Sequence, residues 1–152
     1  MSASEAPWHS SFPAPVSTTV YLPRTEVHKL LLSHSHTAGK DYVLVDLRRN
    51  DHVGGTIRGS INLPAQSLYP TLPVLYTLFK SAGVKQVIFY CGSSGGRGSR
   101  AASWFQDYLN AEGEKEMKSV ALEGGIKGWV GSGEEYVKEI LGYDAAAWAP
   151  SS

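Results

Sequence analysis

Two side chains that could take part in a reaction, the thiol of Cys91 and the guanidinium of Arg97, enclose five small residues in the sequence CGSSGGR. Backbone N–H groups without side-chain bulk can converge on an anion, and an arginine adds a permanently charged bidentate donor. The chain enters this stretch from the apolar run 87–90 and leaves it into a predicted helix over 98–109. The positive end of that helix dipole would favour both a bound anion and the Cys91 thiolate. The stretch therefore predicts an oxyanion-binding loop formed by Gly92, Ser93, Ser94, Gly95, Gly96 and Arg97 beside a catalytic Cys91.

Cys91 has a simpler alternative interpretation. A free cysteine at the end of a buried strand is commonly a small core residue. The residues that follow it, three glycines, two serines and an arginine, would form a poor core. The surroundings of the thiol therefore favour a reactive cysteine over a packing residue.

The elements that position this loop alternate between strand and helix patterns. Strands are expected at 18–22, 42–47, 60–63, 87–90 and 119–122, and helices at 24–33, 72–82, 98–109 and 134–141. This alternation predicts one α/β domain with a mostly parallel, five-stranded sheet flanked by helices, and it places reactive loops at the carboxyl ends of the strands. We expect a flexible N-terminal lead-in over 1–17, a catalytic domain over 18–142 and a C-terminal tail over 143–152.

Composition excludes several classes of protein. Fourteen basic and fourteen acidic residues cancel, which argues against nonspecific nucleic-acid binding and against polybasic attachment to a membrane. The single cysteine rules out an intramolecular disulfide and fits a reducing compartment. No signal-peptide pattern occurs at 1–16, so we expect an intracellular protein of the cytoplasm or the nucleus. The histidines share no ligand spacing with a second cysteine or a carboxylate, and no metal site is predicted.

Four sequence blocks in the same order resemble a rhodanese-like domain. They are VLVDLR at 43–48, GGTIRGSINL at 54–63, the cysteine stretch, and ALEGGIKGW at 121–129. Together they span roughly residues 18–142, and the resemblance implies the fold of that family. For Asp46 and Arg48 we favour a buried pair that satisfies loop backbone over a catalytic role. Trp129 is interpreted as a packing residue of the core or rim.

Loop length separates chemistries within this family. Sulfurtransferase members resemble one another in a six-residue loop, whereas here the arginine is the seventh residue counted from Cys91. The Cys-X5-Arg spacing, followed by Gly98, resembles the cell-division-cycle dual-specificity phosphatases and the fungal-type arsenate reductases. This resemblance implies a phosphate or arsenate oxyanion as the ligand and disfavours thiosulfate sulfur transfer.

Two reactions remain open. A phosphatase of the protein tyrosine or dual-specificity type would form a phosphocysteine on Cys91, act on phosphoproteins and need no cofactor. An arsenate reductase would form an arsenic adduct on Cys91, and glutathione and glutaredoxin would supply the other sulfurs as co-substrates. We favour the phosphatase, because the loop alone suffices for phosphocysteine formation. A non-catalytic binding module is disfavoured because both Cys91 and Arg97 are present.

Two positions and the lack of an evident general acid complicate the phosphatase interpretation. Tyr90 stands where such phosphatases usually have a histidine, and Gly98 stands where many have Ser or Thr. No general acid is evident, and this mildly favours the reductase. Glu123, beside two glycines at a strand end, ranks first as a general acid, with an exposed rim residue as an equally strong alternative.

Overall fold

A five-stranded parallel sheet forms the centre of the computed structural model, which describes residues 7–149. The strands are β1 (Tyr21–Leu22), β2 (Tyr42–Asp46), β3 (Thr56–Ile57), β4 (Ser60–Asn62), β5 (Gln86–Tyr90), β6 (Lys118–Leu122) and β7 (Ile140–Leu141). The central sheet has the order β1-β6-β5-β2-β4, and β3 pairs separately with β7 in antiparallel orientation.

Helices cover both faces of this sheet. They are α1 (Arg24–Leu32), α2 (Ala65–Leu68), α3 (Leu72–Ala82), α4 (Arg97–Ala111), α5 (Gly125–Val130), α6 (Glu134–Val137) and α7 (Ala145–Trp148), with 3-10 turns at Trp8–Ser11 and Tyr69–Thr71. None of the helices within residues 7–149 combines the length and apolar content needed to cross a membrane.

Alternate side chains of the central strands enter two separate cores. Val87 and Phe89 of β5 point to the side covered by α3 and α4, where Phe105 also lies. Ile88 and Tyr90 point to the opposite side, which α1 and α5 cover. Because both faces are buried, the strands are almost continuously apolar, as the sequence pattern predicted.

The register of the sheet brings three strand ends together. Asp46 at the end of β2 lies beside Tyr90 at the end of β5, and Phe89 of β5 pairs with Ala121 of β6. The loops that follow these strands are therefore neighbours at one edge of the sheet. This edge is where a parallel α/β sheet places its reactive groups.

The predicted fold class is confirmed, and the helix prediction over 134–141 is partly wrong. The helix α6 ends at Val137, and Ile140–Leu141 forms β7 against β3. Burial of Ile140 and a hydrogen bond from the N–H of Arg58 to the carbonyl of Glu139 (2.9 Å) stabilise this pairing. Strand β3 and helix α5 lie outside the strands and helices predicted from the sequence.

The described part of the N-terminal segment packs on α4. Trp8 and Phe12 lie edge-on against Trp104, whose indole N–H donates to the carbonyl of Pro13 at 2.8 Å. Asp107 accepts a hydrogen bond from the backbone N–H of residue 16. The sequence analysis did not anticipate this packing, because the aromatic partner on α4 lies far along the chain.

A buried carboxylate joins α3 to the segment before β6. Glu114 accepts hydrogen bonds from Lys80 (2.6 Å) and Tyr76 (2.7 Å), and also from the backbone N–H groups of Glu116 and Met117. These donors, the Lys80 ammonium foremost, lower the pKa of Glu114 to about 2.

This network predicts a pH dependence of stability. A carboxylate whose pKa is lower in the folded than in the unfolded state stabilises the fold above its unfolded pKa, and this stabilisation is lost as pH falls through the folded pKa. The free energy of unfolding should therefore decline between about pH 5 and about pH 2 because of Glu114. We expect Glu114→Gln to flatten this decline in urea titrations. Glu112→Gln, which removes an exposed carboxylate on the same segment, should leave it unchanged.

Candidate active site

The stretch 91–97, called here the cysteine loop, follows β5 directly and ends at the first residue of α4. The Cys91 side chain is almost completely buried, and its Sγ accepts hydrogen bonds from the N–H groups of Ser94 (3.2 Å) and Gly98 (3.4 Å). Ser94 adopts the left-handed backbone conformation (φ 64°). Two backbone N–H groups of the segment 94–98 thus donate to the Cys91 sulfur.

Four further amides of the cysteine loop are available to a ligand. The N–H groups of Gly92, Ser93, Gly96 and Arg97 have no hydrogen-bond acceptor among residues 7–149. The last two belong to the N-terminus of α4, a helix of 15 residues, whose first N–H groups have no intrahelical partner. These donors are placed where an oxyanion could bind, and the oxyanion-binding role of the loop stays a prediction.

Two glycines outside the cysteine loop lie so close to it that a side chain at either position would contact the loop. A Cβ at Gly98 would lie 3.0 Å from both Cβ and Oγ of Ser94, so a side chain there would require Ser94 to shift by a few tenths of an ångström. This contact favours Gly98 at the position where many phosphatases have Ser or Thr.

Gly125 has a positive φ of 60°, and a Cβ there would lie 2.5 Å from the carbonyl oxygen of Gly92. The N–H of Ile126 donates to the carbonyl of Cys91 (3.1 Å), and that of Lys127 donates to Gly92 (2.9 Å). The N-terminus of α5 therefore supports the start of the cysteine loop.

Tyr90 has a structural role in place of the usual histidine. Its ring is buried, and its hydroxyl lies 2.9 Å from Thr56 Oγ1 and 2.7 Å from Ser60 Oγ, and accepts from the N–H of Ile57. Burial raises the pKa of Tyr90 well above its usual range. The neutral phenol thus joins β5 to β3 and β4.

The interpretation of Asp46 and Arg48 as a buried structural pair is confirmed. Arg48 donates from Nε and Nη2 to the two carboxylate oxygens of Asp46 at 3.0 and 2.8 Å. The same guanidinium donates to the carbonyls of Val53 (3.0 Å) and Gly55 (2.7 Å). The pair therefore holds the segment 49–55, which we call the β2 loop.

Asp51 in the β2 loop is a site residue that sequence reasoning missed. Arg97 donates from Nη1 and Nη2 to its two carboxylate oxygens at 2.8 and 2.5 Å. These hydrogen bonds hold the pKa of Asp51 well below its usual range and raise the pKa of Arg97. No sequence motif connects Asp51 with Arg97, which lie 46 positions apart. The expected proximity of the ends of β2 and β5 was a signal that could have indicated this contact.

Glu123 lies elsewhere at the same sheet edge. Its carboxylate is 3.6 Å from Nη1 of Arg24, and its side chain is 57% exposed. Within residues 7–149 it makes no hydrogen bond or ion pair with the cysteine loop. Its role as a general acid stays a prediction.

A cavity of about 520 Å³ adjoins the cysteine loop at Gly92. The described part of the predicted tail covers it: the indole N–H of Trp148 in α7 donates to the carbonyl of Gly54 at 3.0 Å. Asp51 and the exposed Lys127 also line this cavity. Residues that precede the cysteine loop in the sequence and residues that follow it therefore both border this cavity.

Fold and loop together define the class of protein. Residues 29–132 match the family of rhodanese-like domains, and this match covers more than half of the chain. The chain therefore belongs to the rhodanese-like family.

Three named proteins are similar to this chain in sequence or in fold. Arsenical-resistance protein 2 of Saccharomyces cerevisiae is 32% identical over 97 residues, which are 59% of this chain and 75% of the relative. Ygr203w, a yeast protein tyrosine phosphatase of the rhodanese family, superposes with a TM-score of 0.70 at 26% identity, covering 88% of this chain and 99% of that one. An As–Sb reductase of Leishmania major shares the fold, with a TM-score of 0.63 at 23% identity over 70% of this chain and 73% of that one.

Proposed function

We propose that this protein is a cysteine-dependent phosphatase of the protein tyrosine or dual-specificity type. The observation that carries this proposal is the Cys91 sulfur at the centre of a loop with four free amides and Arg97 at its end. The likeness to the yeast phosphatase of the rhodanese family supports it. The substrate class is a phosphate monoester, with phosphoproteins as the physiological form.

The reaction follows from the groups in the loop. The Cys91 thiolate attacks phosphorus in line, an S–P bond forms, and the P–O bond to the leaving group breaks. The loop amides and Arg97 hold the equatorial oxygens, over which negative charge is spread in the transition state. Water then attacks phosphorus and releases inorganic phosphate and the Cys91 thiolate. No bound metal or organic cofactor takes part in these steps.

Arsenate reduction is the second candidate, because the curated yeast relative is an arsenical-resistance protein. Arsenate has the same charge and shape as phosphate and would occupy the same donors. The chain has one cysteine, so an arsenic adduct on Cys91 would need glutathione and glutaredoxin as electron donors. Each reduction of As(V) to As(III) would then leave one disulfide on the external thiols.

A side-by-side assay tests the proposal. Purified protein is given an aryl phosphate, arsenate with glutathione and glutaredoxin, and thiosulfate with cyanide. We expect Cys91-dependent phosphate release from the aryl ester, and slower release from an alkyl phosphate, whose more basic leaving oxygen depends more strongly on a proton donor. Release is measured as inorganic phosphate.

The other outcomes are equally informative. Arsenite formation without phosphate release would replace the phosphatase by the reductase. Thiocyanate as the dominant product would overturn the argument from loop length. Absence of all three products would leave a binding module.

A further inference from the structure

The bidentate face of Arg97 is occupied by a carboxylate of the protein itself. Asp51 places its two oxygens on Nη1 and Nη2 of Arg97, the two donors that would also receive a phosphate. We propose that the substrate phosphate displaces Asp51 from Arg97, and that the released Asp51 donates the proton to the leaving-group oxygen. This inference rests on the proposed phosphatase function.

The backbone of the β2 loop keeps Asp51 in place when Arg97 turns away. The carbonyl of Asp51 accepts from the N–H of Val53 (3.0 Å) and from Arg48 (3.4 Å), and its carboxylate accepts from the N–H of Arg49 (3.2 Å). Arg48 is itself buried against Asp46, which fixes the base of the loop. The carboxylate is thus held at the mouth of the site independently of Arg97.

The side chain of Asp51 is also accessible to solvent and substrate. It is 51% exposed, compared with 23% for Arg97. Asp51 lines the cavity beside Gly92 and a second opening beside Arg97 and Arg100. Both openings border the cysteine loop, the first at Gly92 and the second at Gly96 and Arg97.

The charges around Asp51 favour its displacement from Arg97 by phosphate and then its protonation. With Arg97 as partner, the pKa of Asp51 lies well below its usual range and the carboxylate is ionised. A bound phosphate takes over the cation and adds negative charge beside Asp51, and both changes favour the protonated carboxyl. Binding of the substrate thus converts a carboxylate that occupies the anion site into a proton donor.

The proposed steps balance. Asp51 takes one proton from solvent as the phosphate ester binds. When Cys91 attacks phosphorus, the electron pair of the broken P–O bond goes to the leaving oxygen, and Asp51 gives it the proton, so that an alcohol departs. Asp51, again a carboxylate, then accepts a proton from the water that attacks the phosphocysteine.

The structure separates Asp51 from the alternative acid. Among the acidic side chains of residues 7–149, Asp51 is bonded to the cysteine loop, whereas Glu123 lies beside Arg24. This contrast allows a direct test with isosteric variants. Asp51→Asn keeps an acceptor for the N–H of Arg49 but cannot donate an acidic proton.

The test compares Asp51→Asn, Glu123→Gln and a charge-matched control, Glu112→Gln, at the far end of α4. Turnover is measured on aryl phosphates whose leaving phenols range from strongly to weakly acidic. For Asp51→Asn we expect a loss of about 100-fold or more on the weakly acidic phenols and under about 10-fold on the most acidic. The control should match the native protein on every ester.

Binding of inorganic phosphate, followed by calorimetry, is the second readout. Because Asp51 no longer competes for Arg97, Asp51→Asn should bind phosphate about 2- to 5-fold more tightly. A merely structural role would weaken phosphate binding and lower all rates equally. Circular dichroism verifies that the variant is folded.

Three results would overturn the inference. An equal loss on all esters contradicts the acid role, and unchanged or weaker phosphate binding contradicts the exchange. The selective loss in Glu123→Gln instead of Asp51→Asn would transfer the role to Glu123. If the native protein hydrolyses no ester, the proposed function and the acid step are wrong, and the phosphate affinities still decide whether Asp51 competes for Arg97.

Discussion

Replacement of Cys91 by serine should abolish phosphate release from aryl phosphates. The hydroxyl of serine is not ionised at neutral pH and is a far weaker nucleophile than a thiolate that accepts two amide hydrogen bonds. We expect turnover to fall by at least about 10⁴-fold, measured in single- and multiple-turnover assays. The melting temperature should shift by only about 2 °C, because one atom changes in a loop whose backbone contacts remain.

The same variant separates binding from chemistry. Cys91→Ser retains Arg97 and the four free amides, so inorganic phosphate should still bind. Turnover that survives in Cys91→Ser, on phosphate esters and on arsenate alike, would refute catalysis by this cysteine and favour a binding module.

Gly125→Ala should give the largest loss of stability together with a loss of activity. A Cβ at this position would lie 2.5 Å from the carbonyl oxygen of Gly92 and 2.7 Å from that of Cys91, and the backbone has φ of 60°. Neither carbonyl can move without breaking its bond to the N-terminus of α5. We expect the free energy of unfolding to fall by about 3 kcal/mol or more in urea titrations.

Gly113→Ala is the matched control for this substitution. Gly113 has a similar φ of 70°, but nothing lies within 4 Å of a Cβ built there. It should therefore show the backbone strain alone, about 1 kcal/mol, with unchanged activity. Equal effects of the two variants would contradict the close approach of α5 to the cysteine loop.

Local sequence patterns were sufficient for the fold class and for locating the cysteine loop. The predicted strands at 42–47 and 87–90 and the predicted helix at 72–82 depend on neighbouring residues, and they appear as β2, β5 and α3. The cysteine loop is equally local, since Cys91, the glycines and Arg97 are contiguous. Its two ends, a strand and a helix, follow from the same short-range pattern.

Short strands that pair with residues far along the chain were not predictable in this way. The pairing of β3 with β7 joins residues more than 80 positions apart, and its two-residue strands have no detectable period. The helix predicted over 134–141 fitted the local amphipathic pattern. Ile140 is buried in the core on the α1 and α5 side of the sheet, however, and the last part of this segment forms a strand.

The chemistry proposed at Cys91 was predictable from contiguous residues, because the thiol, the glycines and serines, and the arginine all lie within 91–97. The hydrogen-bond partner of Arg97 depends on a contact between distant parts of the chain. Asp51 reaches Arg97 because Asp46 and Tyr90 are paired at the ends of adjacent parallel strands and because the buried Arg48 holds the loop between them. Residue spacing along the chain does not encode this contact, which depends on the register of the sheet and on the burial of a charged pair.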